Sequence, residues 1–396
     1  MTTTAEIAIP QSSDDIAPSW VQQVLQKDLP GITITDVDVK GSINQWEGFL
    51  SDIIAFDAVG TRNGTSQRYN LVAKLTDFKR PLTISKEYPR DLHIKLEKFE
   101  VKFYSKGVPE LLSVAIPSSE RESKSGNEGD ENPPPADSLF PKCYFAATDP
   151  SSMVSVRVME NLKAQGFSIK PNHQPLSREE MMLAAGALAQ VHGLSHRLEL
   201  RSGVPLPEKY DWTDNAAQKI IGTHAYRSTV KAFAAACPDQ VDLMARLEKL
   251  DFLELVKNLE KNPRLHVLCH ADCWVNNIMI KYTGDVPTEA TLVDWQAPMY
   301  LPPTYDLTLL FLCNTSWDVF HNHRDDILAY YHHKLLDTVG PNEPSGLQSY
   351  TLEQLKADFK ADCVYGVINR FIRLQVLPAD PDLLRMIQQI QEWGVI

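Results

Sequence analysis

Three polar residues in the second half of the chain have the types and spacing that phosphoryl transfer requires. His270, Asp272 and Asn277 form the pattern H-x-D-x-x-x-x-N. Transfer of a phosphoryl group to a hydroxyl needs a carboxylate that orients the acceptor and takes its proton, together with an oxygen ligand for magnesium. Because Asp272 and Asn277 are five residues apart, one loop can direct both side chains to the same site.

A second aspartate strengthens this interpretation over a simple polar turn between two strands. Asp294 follows the strand-like run Thr291–Val293 and comes 22 residues after Asp272. A hairpin of that length would return Asp294 to the side of Asn277. Magnesium takes only one or two protein carboxylates and completes its shell with phosphate oxygens and water. The pattern therefore predicts Asp272 as catalytic base, with Asn277 and Asp294 as magnesium ligands.

A lysine in the first half of the chain is a candidate phosphate ligand. Lys74 ends the apolar run N-L-V-A-K, and a lysine in that place can pair with nucleotide phosphates. Its carboxylate partner would come from the following helix, which offers Glu97 and Glu100. The turn between the first two predicted strands, which precedes Lys74 in the chain, contains Gly48 and Ser51. Its backbone N–H groups and the Ser51 hydroxyl are predicted to contact phosphate, although the turn is not a G-x-G-x-x-G loop.

The elements that must position these residues follow from periodicity. Phe49–Val59 and Arg68–Leu75 are strand-like runs joined by a glycine-containing turn, which predicts a hairpin. Ser177 and Glu180 form a capping box that begins a long helix. Further helices are predicted near 91–105, 214–234, 238–260, 306–314, 322–337, 351–375 and 380–392. Strands followed by helices predict an α+β fold with a small β-rich N-terminal lobe and a larger, mainly helical C-terminal lobe.

The expected domain organisation divides the chain near residue 160. Residues 1–15 are predicted to be disordered, 16–160 to form a nucleotide-binding lobe, and 161–396 to form the catalytic and substrate-binding lobe. Residues 117–138 are rich in Ser, Glu, Gly and Pro and contain almost no apolar side chain. Such a segment cannot bury enough surface to offset its ordering entropy, so a disordered acidic loop is predicted there.

The composition restricts the partners. A formal net charge of −12 argues against nucleic acid or an anionic membrane as a partner, and no apolar run reaches the roughly 18 residues of a membrane span. The N-terminus lacks the pattern of a signal peptide. The six cysteines do not make a disulfide framework in so long a chain, which predicts reduced thiols in a cytoplasmic protein.

These motifs resemble those of the aminoglycoside phosphotransferases and choline kinases, and most closely those of the ecdysteroid-kinase-like proteins within that group. The resemblance implies a bilobal, protein-kinase-like fold. It also implies ATP- and Mg²⁺-dependent phosphorylation of a hydroxylated small molecule, with an ecdysteroid-like alcohol as the expected acceptor. The residues that carry it are 270–279 (HADCWVNNIM), 292–296 (LVDWQ), 305–307 (YDL), Glu100-x-x-Phe103-Tyr104, 158–162 (VMENL) and Leu188-Ala189-x-x-His192.

For the nucleotide, the resemblance implies that Lys74 pairs with Glu100 rather than with Glu97. The segment from Glu160 to Leu162 would be the hinge whose backbone meets adenine. Around the catalytic loop, the resemblance implies roles that support the site rather than take part in the chemistry.

Asp306 would brace the catalytic loop, and His270 would bond to the backbone near Asp294. Position 271 is an alanine in this chain, where the family usually has glycine, and this is a small change that need not abolish activity.

Protein kinases are the nearest alternative class. They carry arginine between the histidine and the aspartate, where this chain has Ala271, and a long activation segment after the metal-binding aspartate. Here only the eleven residues Trp295–Tyr305 separate Asp294 from Asp306. That leaves no room for a segment that docks a peptide, so a small molecule is the predicted acceptor.

Other readings stay open at this stage. An amino-alcohol kinase of the choline or ethanolamine type would need aromatic faces and carboxylates around a cation. A nucleotide-binding pseudokinase would bind ATP without catalysis. The run Cys269-His270-x-x-Cys273 has zinc-ligand types but lacks a second ligand pair. The aromatic residues that could line an acceptor site are Trp295, Tyr300, Trp317, Phe320, Tyr330, Tyr331 and Tyr365.

Overall fold

The computed structural model divides the chain into two compact units. The first comprises Met1–Pro109 and Phe140–Phe167, and the second comprises Glu110–Leu139 and Ser168–Ile396. The predicted disordered loop 117–138 and Gly48 lie outside the described residues. The structure describes residues 7–43, 51–78, 90–116, 139–149, 151, 153–171, 174–213, 216–341, 347–373 and 380–396.

The first unit is built on a five-stranded antiparallel sheet with the order β1-β2-β3-β5-β4. The predicted hairpin is present, and both strands extend closer to the turn than expected because Asn63 and Gly64 alone make it. Both have positive φ, 51° and 78°, as a two-residue hairpin turn requires. The strands are β1 (Thr33–Ser42), β2 (Asp52–Arg62), β3 (Thr65–Asp77), β4 (Cys143–Asp149) and β5 (Val154–Glu160).

Two helices accompany this sheet, α1 (Pro18–Leu25) and α2 (Arg90–Lys102). The N-terminal segment is tied to α1, since the Trp20 indole donates to the Ala8 carbonyl at 2.7 Å. The expected disorder of residues 1–15 therefore does not extend over residues 7–15. Burial of each large apolar side chain contributes roughly 1.5–3 kcal/mol, and the core of this unit includes Val21, Val24, Phe56, Leu71, Ala73, Val156 and Val158.

The second unit is mainly helical, so the predicted α+β class, with strands first and helices afterwards, is confirmed. Its strands form a sheet with the order β6-β8-β9 and a β7-β10 pair. The strands are β6 (Phe167–Ile169), β7 (Val267–Cys269), β8 (Ile278–Thr283), β9 (Val286–Leu292) and β10 (Met299–Leu301). The helices are α3 (Val108–Ser113), α4 (Arg178–Ser202), α5 (Leu206–Lys209), α6 (Ala216–Ala236), α7 (Val241–Glu248), α8 (Phe252–Glu260), α9 (Thr304–Asn314), α10 (Arg324–Val339), α11 (Leu352–Arg373) and α12 (Pro381–Glu392).

Local capping explains where these helices begin. The predicted capping box of α4 is present, since Glu180 N–H donates to Ser177 Oγ at 3.2 Å and Ser177 N–H donates to Glu180 Oε2 at 2.6 Å. The single helix expected over 238–260 is instead the pair α7 and α8. Asp251 caps α8 by accepting from Glu254 N–H at 3.1 Å, which stabilises a new start. Within the described ranges, no helix has both the length and the apolar character of a membrane-crossing segment.

The helices α9 and α11 approach each other down to their backbones at one glycine. A Cβ atom on Gly366 would lie 2.4 Å from the Thr308 carbonyl oxygen and 2.8 Å from its carbon. No real Cβ approaches backbone that closely, so only glycine allows α11 to lie at this depth. The contact fixes α11 against the helix that follows the β7–β10 pair.

Candidate active site

The predicted catalytic loop connects β7 to β8 in the second unit. β7 ends at Cys269, and a short 3-10 turn, Val275–Asn277, leads into β8. β8 pairs with β9 so that Ile278 lies opposite Leu292, and Val293 N–H donates to the Asn277 carbonyl at 3.0 Å. The hairpin therefore ends with Asp294 one residue beyond the partner of Asn277, as the spacing predicted.

Asn277 and Asp294 supply oxygen atoms that suit magnesium. The Asn277 side-chain nitrogen donates to the Asp272 carbonyl and to Asp272 Oδ2, both at 2.9 Å. Its amide oxygen is therefore the atom that remains to bind a cation. Asp294 Oδ2 accepts from Gln296 at 3.3 Å, and its backbone adopts a positive φ of 66°. One amide oxygen and one carboxylate are hard ligands of the kind magnesium prefers.

Asp306, the first-turn acidic residue of α9, holds the loop from inside the protein. Its side chain is fully buried and accepts from His270 N–H at 2.6 Å and from Ala271 N–H at 2.8 Å. His192 Nε2 lies 3.1 Å from the same carboxylate, and the other ring nitrogen lies 2.7 Å from the Tyr331 hydroxyl. Charge-assisted bonds to backbone N–H groups are among the stronger ones in proteins, so Asp306 sets the backbone path into Asp272.

His270 is held in one neutral form. Its Nε2 lies 2.9 Å from the Val293 carbonyl, which can only accept, and its Nδ1 lies 3.2 Å from Asp272 N–H, which can only donate. The proton is therefore on Nε2. Burial lowers the pKa of His270, which keeps the ring neutral. The residue joins the loop to the end of β9, next to Asp294.

Arg373 completes the loop, and the sequence reading missed it. From the last position of α11, its Nε donates to Asp272 Oδ1 at 2.6 Å and its terminal NH2 group donates to the Ala271 carbonyl at 2.7 Å. Burial raises the pKa of Asp272, and the Arg373 charge opposes that rise. The carboxylate is 19% exposed. It is therefore accessible and has a partner on each oxygen.

Ala271 adopts a conformation that disfavours any residue with a side chain. Its φ is +59°, in the left-handed region where an L-residue is strained by about 1–2 kcal/mol. Ala271→Gly is expected to raise the free energy of unfolding by a net ~0.5–1 kcal/mol, since glycine's greater freedom in the unfolded chain offsets part of the relief. Denaturant unfolding measures the change.

A matched control is Ala187→Gly, which is buried within α4 and is expected to destabilise by about 1 kcal/mol or more. A loss of stability in both variants would contradict the strain at Ala271.

In the first unit, the structure brings Lys74 and Glu100 together. Lys74 Nζ lies 2.8 Å from Glu100 Oε2 and 3.0 Å from Oε1, with both side chains almost fully buried. Glu97 also lies in this cluster, but its partner is Arg157 of β5. Arg157 faces Lys74 in the β3–β5 register and reaches Glu100 Oε2 at 3.2 Å. The two glutamates, the lysine and the arginine therefore balance in charge.

Glu97 is further held by two hydroxyl groups, Thr76 Oγ1 at 2.8 Å and Ser155 Oγ at 2.6 Å. Burial by itself raises the pKa of a carboxyl, but the charges of Arg157 and Lys74 and the hydrogen bonds outweigh it and lower the pKa of Glu97 to about 2. The cluster is therefore built to keep Glu97 ionised, so that Glu100 is left for Lys74.

The acid stability of the first unit is expected to depend on Glu97. Its folded pKa, about 2, is below its ordinary value of 4.5, so its contribution is complete above pH 4.5 and is lost as the pH falls towards 2. The difference in unfolding free energy between wild type and Glu97→Gln is therefore expected to be largest near neutral pH and to shrink as the pH is lowered. Denaturant titrations at several pH values measure it. The exposed Glu248→Gln is the control, and a pH-independent difference would refute the assignment.

The predicted hinge residues end β5. Glu160 N–H donates to the Lys142 carbonyl and Asn161 N–H to the Asn70 carbonyl, both at 2.9 Å, so both donors are already used. The Leu162 N–H has no acceptor among the described residues. Ser51 immediately precedes β2, in which Ile53 lies opposite Lys74.

Two sequence interpretations are not supported by the geometry. Among the described residues, the His/Cys/Asp cluster with metal-like spacing is His192, Cys269 and Asp306, rather than Cys269, His270 and Cys273. In that cluster the Asp306 carboxylate accepts from the His270 and Ala271 N–H groups, so the geometry does not support a zinc site at Cys269, His270 and Cys273. Of the candidate acceptor-site aromatics, Trp295, Phe320 and Tyr331 are fully buried, so they belong to the core.

A family model described as the ecdysteroid kinase-like family matches residues 46–340. Among solved structures, Plasmodium vivax ethanolamine kinase aligns at 14% identity over 96% of this chain and 88% of that chain, with a TM-score of 0.37. The GDP complex of wild-type aminoglycoside 2'-phosphotransferase-IIIa aligns at 14% identity over 95% and 99%, with a TM-score of 0.36.

A search of curated proteins gives no significant match. The family match covers most of the chain and includes the catalytic loop, the Asp294 segment and Asp306. The predicted resemblance to the ecdysteroid kinase-like proteins is thereby confirmed. This protein belongs to the ecdysteroid kinase-like family.

Proposed function

We propose that this protein is an ATP- and magnesium-dependent kinase that transfers the γ-phosphoryl group to a hydroxyl of a small molecule. The observation that carries the proposal is the arrangement around Asp272. Its carboxylate is accessible, is held by Asn277 on one oxygen and by Arg373 on the other, and is followed in the same hairpin by Asp294. A pre-positioned carboxylate beside oxygen ligands is what phosphoryl transfer asks of a protein.

Each candidate site residue of the second unit has one role in this proposal. Asp272 orients the acceptor hydroxyl and receives its proton. The side-chain oxygens of Asn277 and Asp294 hold magnesium, which when bound neutralises charge on the phosphate oxygens. Asp306 and His270 hold the loop backbone through the bonds described above, and so keep the reacting carboxylate in place.

The first unit supplies the nucleotide ligands in this proposal. Lys74 binds nucleotide phosphate, and Glu100 fixes its ammonium group, as their 2.8 Å pairing supports. Leu162 offers its backbone N–H to adenine, because the N–H groups of Glu160 and Asn161 already donate to other backbone carbonyls. Ser51 immediately precedes β2, two residues before the position opposite Lys74, and its hydroxyl contacts phosphate.

The proposed acceptor is a small alcohol, and a steroid-like alcohol of the ecdysteroid type is the first candidate. The family description supports that choice. The connection between Asp294 and Asp306 is only eleven residues long and includes β10 and the start of α9, which supports a small molecule over a protein as the acceptor. We further propose that the protein acts in the cytoplasm, where ATP is available and thiols stay reduced.

The test is acceptor-dependent transfer from Mg-ATP across a panel of hydroxylated metabolites, followed by mass spectrometry of the products. Steroid alcohols and amino alcohols form separate arms of the panel, so that the substrate class is read directly. Phosphorylated product with wild type, and its loss on chelation of magnesium or in Asp272→Asn, would support the proposal. Equal behaviour of wild type and Asp272→Asn would instead indicate a nucleotide-binding protein without catalysis.

A further inference from the structure

We infer that Arg373 is a positioning residue for phosphoryl transfer, which fixes the orientation of the Asp272 carboxylate from the end of α11. This inference rests on the proposed function, because it concerns the same carboxylate. It goes beyond that function in assigning part of the catalytic geometry to a residue 101 positions away in sequence, outside the segment at 46–340 that defines the family match.

The guanidinium group is itself held at three points. Nε donates to Asp272 Oδ1 at 2.6 Å, one terminal nitrogen donates to the Ala271 carbonyl at 2.7 Å, and the other donates to the side-chain oxygen of Asn369. The group therefore grips both the backbone and the side chain of the catalytic loop. A planar fork with fixed donor directions can do this, whereas the single ammonium of lysine cannot.

The two bonds to Asp272 divide the roles of its oxygens. Arg373 takes Oδ1, while Asn277 donates to Oδ2 at 2.9 Å. A carboxylate oxygen can accept more than one hydrogen bond, so Oδ2 keeps capacity for the acceptor hydroxyl on the side of the proposed magnesium ligand. Rotation of the carboxylate would break the 2.6 Å bond. Arg373 thus selects the oxygen that receives the proton.

The position of Arg373 depends on how α11 is seated. Gly366 allows α11 to contact the backbone of α9, the helix that carries Asp306. Within α11, Asn369 donates to the Tyr365 carbonyl at 2.9 Å and accepts from Arg373, which links the guanidinium to the helix interior. The same two helices therefore hold the loop from both sides, through its N–H groups and through its carboxylate.

The neighbouring Arg370 provides a matched control on the same helix. It donates to the Leu312 and Cys313 carbonyls at 3.0 and 2.7 Å and pairs with Asp380 at 2.6 Å. Its side chain is 12% exposed, against 15% for Arg373, and these bonds are made to α9 and Asp380 rather than to the loop that contains Asp272. Arg370→Met thus removes a similar arginine with a similar number of bonds.

The experiment measures kcat and the KM for ATP in wild type, Arg373→Lys, Arg373→Met and Arg370→Met, with the unfolding midpoint of each. Arg373→Met is expected to lower kcat by roughly 10–100-fold, the cost of a misplaced reacting group, and to leave the KM for ATP within about threefold of wild type. Arg373→Lys is expected to recover part of kcat. In a further variant, Arg373→Ala, added guanidinium is expected to restore part of kcat, and it is expected not to restore activity to Asp272→Asn.

The outcomes separate this inference from the proposed function. An active wild type with unchanged kcat in Arg373→Met overturns the inference and leaves the function standing. So does an equal fall of kcat in Arg370→Met and Arg373→Met, which would show a merely structural role. A wild type that gives no more phosphorylated product than Asp272→Asn overturns the proposed function, and the positioning role fails with it.

Discussion

Asp272→Asn is expected to reduce kcat by about 10²–10⁴-fold, the usual contribution of a positioned general base. The amide has nearly the shape of the carboxylate but cannot take the acceptor proton. It also cannot accept on both sides. Arg373 and Asn277 each present a donor to Asp272, so one of them would meet the new NH2 group. The loss of one such bond costs about 1–3 kcal/mol of stability.

Single-turnover transfer of phosphate to the acceptor measures this loss directly. Titration with a fluorescent ATP analogue is the companion measurement, because the proposed nucleotide ligands, among them Lys74 and Glu100, are unchanged. Asp358→Asn is the matched control, since that buried carboxylate bonds to Arg264 and Gln354 rather than to the loop. A variant Asp272→Asn that keeps transfer within a few-fold of wild type would remove Asp272 from the chemistry.

Asp306→Asn has the second large expected effect, and it falls on stability as well as rate. The buried carboxylate receives the N–H groups of His270 and Ala271 on separate oxygens, and His192 Nε2 on one of them. Asparagine offers one acceptor oxygen, so at least one buried donor would face an NH2 group. We expect the free energy of unfolding to fall by about 3–5 kcal/mol, as for a broken buried charged contact, and kcat per folded molecule to fall by at least about tenfold.

Chemical denaturation and kcat normalised to the folded fraction give the two readouts. Asp358→Asn again serves as control, because it is expected to lower stability while leaving kcat per folded molecule unchanged. Should Asp306→Asn lower stability without changing the normalised kcat, the carboxylate would be part of the core alone. Should it change neither, the loop would be held in some other way.

Local pattern was sufficient to predict most of the elements and the position of the loop between β7 and β8. Asp272, Asn277 and Asp294 could be located because the distances among them are set by one loop and one hairpin. The helix starts were also readable where the cap is a side chain, as at Ser177. The break between α7 and α8 had the same kind of signal in Asp251, which precedes an apolar run, but a continuous helical period concealed it.

Arg157 shows that an alternating polar and apolar pattern does not always identify a solvent-exposed strand face. Along β5, Ser155 and Arg157 alternate with valines, and a period of two normally assigns such a polar face to solvent. The structure buries it instead, because Glu97 on α2 offsets the charge of Arg157. A pair of buried charges drawn from separate elements has no local signature, since each residue alone reads as exposed.

Arg373 could not be identified from the sequence for the same reason, because its partner Asp272 is 101 positions away. It lies at the end of an amphipathic helix, where a basic residue is ordinary. The residues near it in sequence form no pattern that indicates a contact with Asp272. The positive φ of Ala271 was equally hidden. The glycine that the family usually has at this position was a signal of it. Only the φ angle shows that the signal reflects a requirement of the backbone.

The packing of α11 against α9 also determines when, during synthesis, the contacts around Asp272 can form. The carboxylate at residue 272 leaves the ribosome first, its brace Asp306 comes 34 residues later, and the guanidinium comes 101 residues later. At about 5–20 residues per second, synthesis of that interval takes on the order of 5–20 s. During it, the nascent chain contains the candidate catalytic loop without the Arg373 donor to Asp272 Oδ1. The full set of contacts around Asp272 therefore forms only after residue 373 has been synthesised, when Gly366 allows α11 to pack against α9.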